Sequence, residues 1–143
     1  MTITDDSTPT PEVASPDLTI EGISLLVIQR YFETMNAGEY TATAELFAQT
    51  GAMQPPFEQP IVGSEAITTF LEAEAKEMQL YPRQGVTENL DDGNLQVQVS
   101  GKVQTPLFGV NVAWHFLLNA EEEILYTRIK LLASPQELLK LRR

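Results

Sequence analysis

Near Tyr81-Pro82 the hydrophobic period of this chain changes from about 3.6 residues to about 2, so helices come first and strands second. Before the switch, Ile23, Val27, Tyr31 and Met35 fall on one i, i+4 ridge, widened by Leu26, Ile28 and Phe32. This pattern predicts a first helix ending near Gly38, a residue suited to the left-handed stop of a helix. A second helix is expected over about Tyr40 to Ala48, before Gly51 breaks it. The following AMQPPFEQPIVG contains three prolines and reads as an extended, rigid loop, with Phe57 a candidate for shaping a cavity mouth. A third helix is expected from about Ser64 to Gln79, with Ile67, Phe70, Leu71, Glu74 and Met78 on one side. Glu74 is the odd member of that stripe.

After the switch, Leu95, Val97 and Val99 alternate with Gln96, Gln98 and Ser100, and Gly101 suggests a bulge that resets the alternation. In the next strand Val110, Val112, Trp114, Phe116 and Leu118 share one face, opposite Asn111, Ala113, His115 and Leu117. In the last, Leu125, Thr127, Ile129 and Leu131 oppose Tyr126, Arg128 and Lys130. Three strands with short connections form an antiparallel meander. Residues 134–143 (SPQELLKLRR) carry a capping box and read as a short amphipathic helical tail, with Leu138 and Leu139 on its apolar face. Either a plain cap or a lid over the ligand path fits that tail.

The expected class is α+β, with a curved antiparallel sheet wrapped around helices to form a cone with an apolar throat. This is the nuclear transport factor 2-like architecture. Three regions are expected: a disordered Pro/Thr-rich lead over 1–18 with four acids and no base, a folded domain over 19–133, and the tail over 134–143.

Composition narrows the chemistry. The 143 residues hold 9 Lys and Arg against 20 Asp and Glu, a net charge of −11, which argues against nucleic-acid binding. No apolar run approaches the roughly 18 residues of a membrane span. The opening MTITDDS lacks the basic and apolar regions of a signal peptide, so the expected compartment is the cytoplasm. With no Cys and a single His, thiolate nucleophiles, disulfides and His-rich zinc sites are excluded, and no metal is expected. His115 lies opposite Trp114 and reads as an outward or structural histidine, so no catalytic residue is assigned.

The segments YFETMNAGEY, GAMQPPFEQPIVG, YPRQGVTENLDDG, VSGKVQTPLFG, NVAWHFLLN and LLASPQELL together resemble the C-terminal domain of the cyanobacterial orange carotenoid protein. The likeness covers about residues 19 to 139 and lacks that photoreceptor's helical N-terminal domain. It implies a stand-alone homolog that binds a ketocarotenoid such as canthaxanthin or echinenone and carries it. In the family a Tyr and a Trp donate hydrogen bonds to the keto oxygen of the terminal ring, and these fall on Tyr31 and Trp114. On periodicity alone both residues are core anchors. The resemblance also implies tunnel positions at Met35, Met78, Leu80, Thr105, Phe108 and Phe116. Glu74 matches an acid that the family uses in a salt bridge to the missing domain. Leu107 stands where the family usually has Trp, and Lys130 where it has Asp.

A phenol O–H and an indole N–H together satisfy the lone pairs of one carbonyl oxygen in an apolar pocket, and they polarise the conjugated system toward a red-shifted band. A domain of about 125 residues has a radius of gyration near ~14 Å, too small to enclose a long pigment. The exposed half favours a homodimer sharing one carotenoid. Expected partners are therefore the carotenoid, a second copy when loaded, helical carotenoid proteins as recipients, and transient membrane contact during uptake. Singlet-oxygen quenching and photoprotection follow from the cargo. The competing readings are an isomerase- or cyclase-type enzyme on the same fold and a dimerisation module without ligand.

Overall fold

The computed structural model describes residues 18–132 of the chain; the expected lead before Leu18 and the tail with Leu138 and Leu139 lie outside the described residues. Leu18, expected to belong to the lead, is buried in the core. The helices are α1 (Leu26–Ala37), α2 (Tyr40–Ala44) and α3 (Ser64–Glu74). The strands are β1 (Phe47–Gln54), β2 (Ile61–Val62), β3 (Gln79–Asn89), β4 (Leu95–Gln104), β5 (Gly109–Leu118) and β6 (Ile124–Leu131). They form one six-stranded sheet in the order β2-β1-β6-β5-β4-β3.

α1 buries Val27, Ile28, Tyr31, Phe32 and Met35 against the concave face of the sheet and ends at Gly38, whose φ of 75° is the left-handed stop expected there. It starts later than the ridge suggested. Ile20 and Ile23 are buried, but through a turn (Ile23 N–H to Ile20 O, 3.1 Å) and a short parallel bridge from Glu21 to Gln84 at the edge of β3. An i, i+3 pair of isoleucines suits a turn as well as a helix. Thr34 and Thr43 tie α1 to α2 through hydroxyls 2.6 Å apart, and Asn36 clamps α1 to β3 with bonds of 2.7 and 2.8 Å to the Leu80 backbone.

Several further sequence expectations change. The second helix stops at Ala44, and Phe47 opens β1 instead of closing a helix. That strand shows no clean alternation, because its register with β6 shifts between Phe47 and Ala52. Its pairing with β6 is parallel, so the sheet is mixed, not purely antiparallel. Gly51 permits this close approach: a Cβ there would lie 2.6 Å from the Ile124 carbonyl oxygen.

The third helix ends at Glu74, and β3 takes over at Gln79 and pairs with β4 along its length. Pro82 disguises this strand in the sequence, yet at a sheet edge a missing N–H is tolerated. Gly101 does not reset the alternation, since Leu95, Val97, Val99, Gly101 and Val103 keep one face. The register shift sits opposite, on β3 between Pro82 and Gln84. Gly101 is required because a Cβ would lie 2.2 Å from the Tyr81 carbonyl oxygen.

The inward faces of β4, β5 and β6 meet α1 as the sequence pattern implied. Val97, Val99, Val112, Trp114, Phe116 and Leu118 are all buried. Thr127 lies on the same concave side, beside Phe116, and its hydroxyl is buried without a hydrogen-bond partner among the described residues.

Candidate functional site

Between α1, α3 and the sheet lies a hollow of about 290 Å³. Tyr31 and Met35 of α1, Met53 of β1, Leu80 of β3, Val103 of β4, Trp114 of β5, and Ile129 and Leu131 of β6 line its floor and walls. Phe70, Leu71, Glu74, Ala75 and Met78 close one side, and the Pro55–Glu58 loop stands at the mouth. A larger hollow of about 530 Å³ lies outside α1, bordered by Arg30, Glu33, Glu39 and Tyr81. Its border mixes charged side chains with Leu18 and Leu80. The smaller one is apolar and reached by both proposed donors, so it is the candidate site.

Tyr31 and Trp114 are each 1% exposed. Neither the Tyr31 hydroxyl nor the Trp114 indole N–H has a hydrogen-bond partner among the described residues. A buried tyrosine or tryptophan normally finds one. Aromatic packing fixes both rings: Phe32 meets Trp114 edge-to-face at 4.7 Å and Tyr31 at 5.1 Å. Phe116 meets Tyr31 at 5.1 Å from behind. Burial pushes the Tyr31 phenol well above the ordinary tyrosine range, so it stays a proton donor at neutral pH.

The ionisable groups lining this hollow are Tyr31, Glu58 and Glu74, and both carboxylates belong to exposed residues at the rim. Among the described residues no group of three or more His, Cys, Asp and Glu is placed to hold a metal. His115 lies half-buried on the outer face, with its basicity lowered by desolvation and by the neighbouring Lys130 and Arg128 charges. No helix among the described residues is long and apolar enough to cross a membrane.

Of the positions inferred from sequence, Tyr31, Met35, Glu74, Met78, Leu80 and Trp114 come together around the hollow. Three do not. Phe116 faces inward but lies one layer deeper, behind Tyr31. The Thr105 hydroxyl is spent inside the β4–β5 turn, accepting from the Leu107 and Phe108 N–H groups and donating to the Phe108 carbonyl at 2.9 Å. Phe108 projects into solvent at 56% exposure. Sequence reasoning missed Met53, Val103, Ile129 and Leu131. Ile129 and Leu131 were legible, because they alternate on one face of the last strand; Val103 was not, because the bulge expected at Gly101 turns it to the other face. Met53 was not, since β1 went unrecognised. Phe57, at φ 64° and 93% exposed, holds a backbone conformation rare for a bulky residue, at the cavity mouth.

Known proteins place this geometry. The nuclear transport factor 2 (NTF2) domain matches residues 23–128. The chain is 45% identical to the orange carotenoid-binding protein of a Synechocystis strain over 130 residues, covering 88% of this chain and 41% of that protein. To the protein of the same name from Limnospira maxima it is 45% identical over 126 residues, covering 85% and 40%. The structure of the Anabaena (Nostoc) sp. orange carotenoid protein binding canthaxanthin superposes with a TM-score of 0.80 at 47% identity, covering 87% of this chain and 41% of that one. The chain thus spans about two-fifths of the length of these relatives, in keeping with the resemblance carried by its motifs. With a mixed sheet curved around α1, an apolar hollow at its centre and a family match across nearly all the described residues, the chain belongs to the NTF2 domain family.

Proposed function

We propose that this protein binds a ketocarotenoid by one ring, with the keto oxygen accepting hydrogen bonds from the Tyr31 hydroxyl and the Trp114 indole N–H. The observation that supports this reading is a pair of donors on buried residues, without a hydrogen-bond partner among the described residues, lining one apolar hollow. Similarity to proteins named for carotenoid binding, one of them seen with canthaxanthin, supports the choice of ligand. A hollow of about 290 Å³ lies at the small end of ligand pockets, which run from ~300 to ~1,000 Å³. It suits a ring and the start of a polyene; the rest of the pigment protrudes.

The protein then acts as a carrier in the cytoplasm, taking up pigment, holding it between two copies and passing it to helical carotenoid proteins. Singlet-oxygen quenching is a property of the pigment it holds. Glu74, exposed at the rim, is a contact for a partner. An isomerase or cyclase would instead need an ionisable group deep in the hollow, where Tyr31 stays protonated. Expression in cells making canthaxanthin or echinenone tests the proposal. A coloured complex, red-shifted from the free pigment, is expected; a colourless protein would refute it, and turnover of the pigment would favour the enzyme.

A further inference from the structure

Sulfur among the described residues is confined to one place. The chain has four methionines and no cysteine, and the three described ones, Met35, Met53 and Met78, all line the apolar hollow. Elsewhere the buried core is built from Ala, Val, Leu, Ile and aromatic rings. Methionine fills irregular gaps in any core, but gap filling does not explain why all three gather at the candidate site.

The three differ in depth. Met53 is 2% exposed and Met35 7%, whereas Met78 is half-buried at the rim, in the turn that carries the chain from α3 into β3 (Met78 N–H to Ala75 O, 3.1 Å). A reagent small enough to enter the mouth meets Met78 first. Met35 stands one turn beyond Tyr31 on α1, and a helical side chain leans toward the N-terminus, so its thioether leans toward Tyr31. A thioether accepts hydrogen bonds only weakly, while a sulfoxide is polar and its oxygen accepts them well. The Tyr31 hydroxyl and the Trp114 indole N–H line this same hollow without a partner among the described residues.

We propose that Met78 and then Met35 are sites of reversible oxidation by a hydroperoxide, and that their sulfoxides expel the pigment ring. The sulfur attacks the terminal oxygen of the hydroperoxide and the O–O bond breaks. That oxygen stays on sulfur, and its proton leaves with the other oxygen as an alcohol, or as water from hydrogen peroxide. Sulfur gives up two electrons and the peroxide takes them. The new oxygen makes the wall polar, and the Met35 sulfoxide takes the Tyr31 hydroxyl that otherwise holds the ring oxygen. Reductases that return sulfoxide to thioether restore the apolar lining. The effect on pigment rests on the ring-anchoring reading; the oxidation itself does not.

Peroxide treatment of the full chain, with each methionine followed by peptide mass, tests the site. Without pigment, Met78 should gain one oxygen first, then Met35, with Met53 last. The oxidised protein should bind canthaxanthin roughly tenfold or more weakly, because a polar group enters the wall and one hydrogen bond is contested. Met35→Leu with Met78→Leu, which nearly conserves volume, should lose no affinity on the same treatment, judged against its own untreated value. Trp114, the only tryptophan, gives a readout free of pigment: its emission should move to longer wavelength on oxidation of the wild type and hold still in the double variant. Equal oxidation of Met53 and Met78, affinity unchanged by the sulfoxides, or an emission shift that persists in the double variant would each overturn the proposal. Failure of the untreated protein to take up canthaxanthin would defeat the ring-anchoring reading alone, with the order of oxidation and the Trp114 emission still deciding the site.

Discussion

Replacing Tyr31 by Phe separates a structural tyrosine from a ligand-binding one. The hydroxyl has no hydrogen-bond partner among the described residues, so its removal breaks no bond between them. The packing of Tyr31 on Phe32 and Phe116 depends on the ring, which phenylalanine keeps. Stability should therefore change by less than ~0.5 kcal/mol, which for a domain of this size keeps Tm within ~3 °C. A structural hydroxyl would behave differently, since losing a buried bond and orphaning its partner costs about 1–3 kcal/mol and lowers Tm by roughly 5 °C or more. Binding moves the other way: one lost hydrogen bond to the keto oxygen, ~0.5–1.5 kcal/mol, weakens affinity roughly two- to twelvefold and shifts the visible band toward the blue. Thermal unfolding of the empty protein and absorption titration with canthaxanthin measure the two effects. A lower Tm with unchanged affinity and spectrum would refute the assignment.

Other perturbations test the frame around the site. Gly101→Ala places a methyl 2.2 Å from the Tyr81 carbonyl and should cost about 1–3 kcal/mol in denaturant unfolding; an unchanged midpoint would contradict the close pairing of β3 with β4. Thr127→Val removes a buried hydroxyl without a partner among the described residues and should raise stability by about 1 kcal/mol, with a lower Tm as the contrary result. Above the ordinary tyrosine pKa of 10.0 the unfolded chain ionises at Tyr31 while the folded protein holds it neutral. The stability this provides is complete below pH 10 and is lost as pH rises toward the folded value, so unfolding curves should show a steeper alkaline decline in the wild type than in Tyr31→Phe.

The parts of the site legible from sequence are those on elements with an unbroken period. The α1 ridge gave Tyr31 and Met35, and the alternation of β5 gave Trp114 its inward face. Depth was not legible: Trp114 and Phe116 share a face, yet one lines the hollow and the other sits behind Tyr31, because layering depends on how α1 crosses the sheet. β1 was hidden by its irregular register and β3 by Pro82, and with β1 went the parallel pair and Met53. The left-handed Phe57 had no sequence signal, since positive φ is expected of Gly or Asn, not Phe. Thr105 and Phe108 were placed by likeness to a family, which transfers a position but not the turn this chain builds there.

Competition between canthaxanthin and β-carotene for the empty protein bears most directly on the anchoring of a ring oxygen. The two pigments share a polyene and differ by their keto groups, which are what Tyr31 and Trp114 are proposed to hold. Preferential retention of canthaxanthin, with the preference abolished by the paired Tyr31→Phe and Trp114→Phe substitutions, is the expected result. Equal uptake of both pigments by the wild-type protein would contradict it.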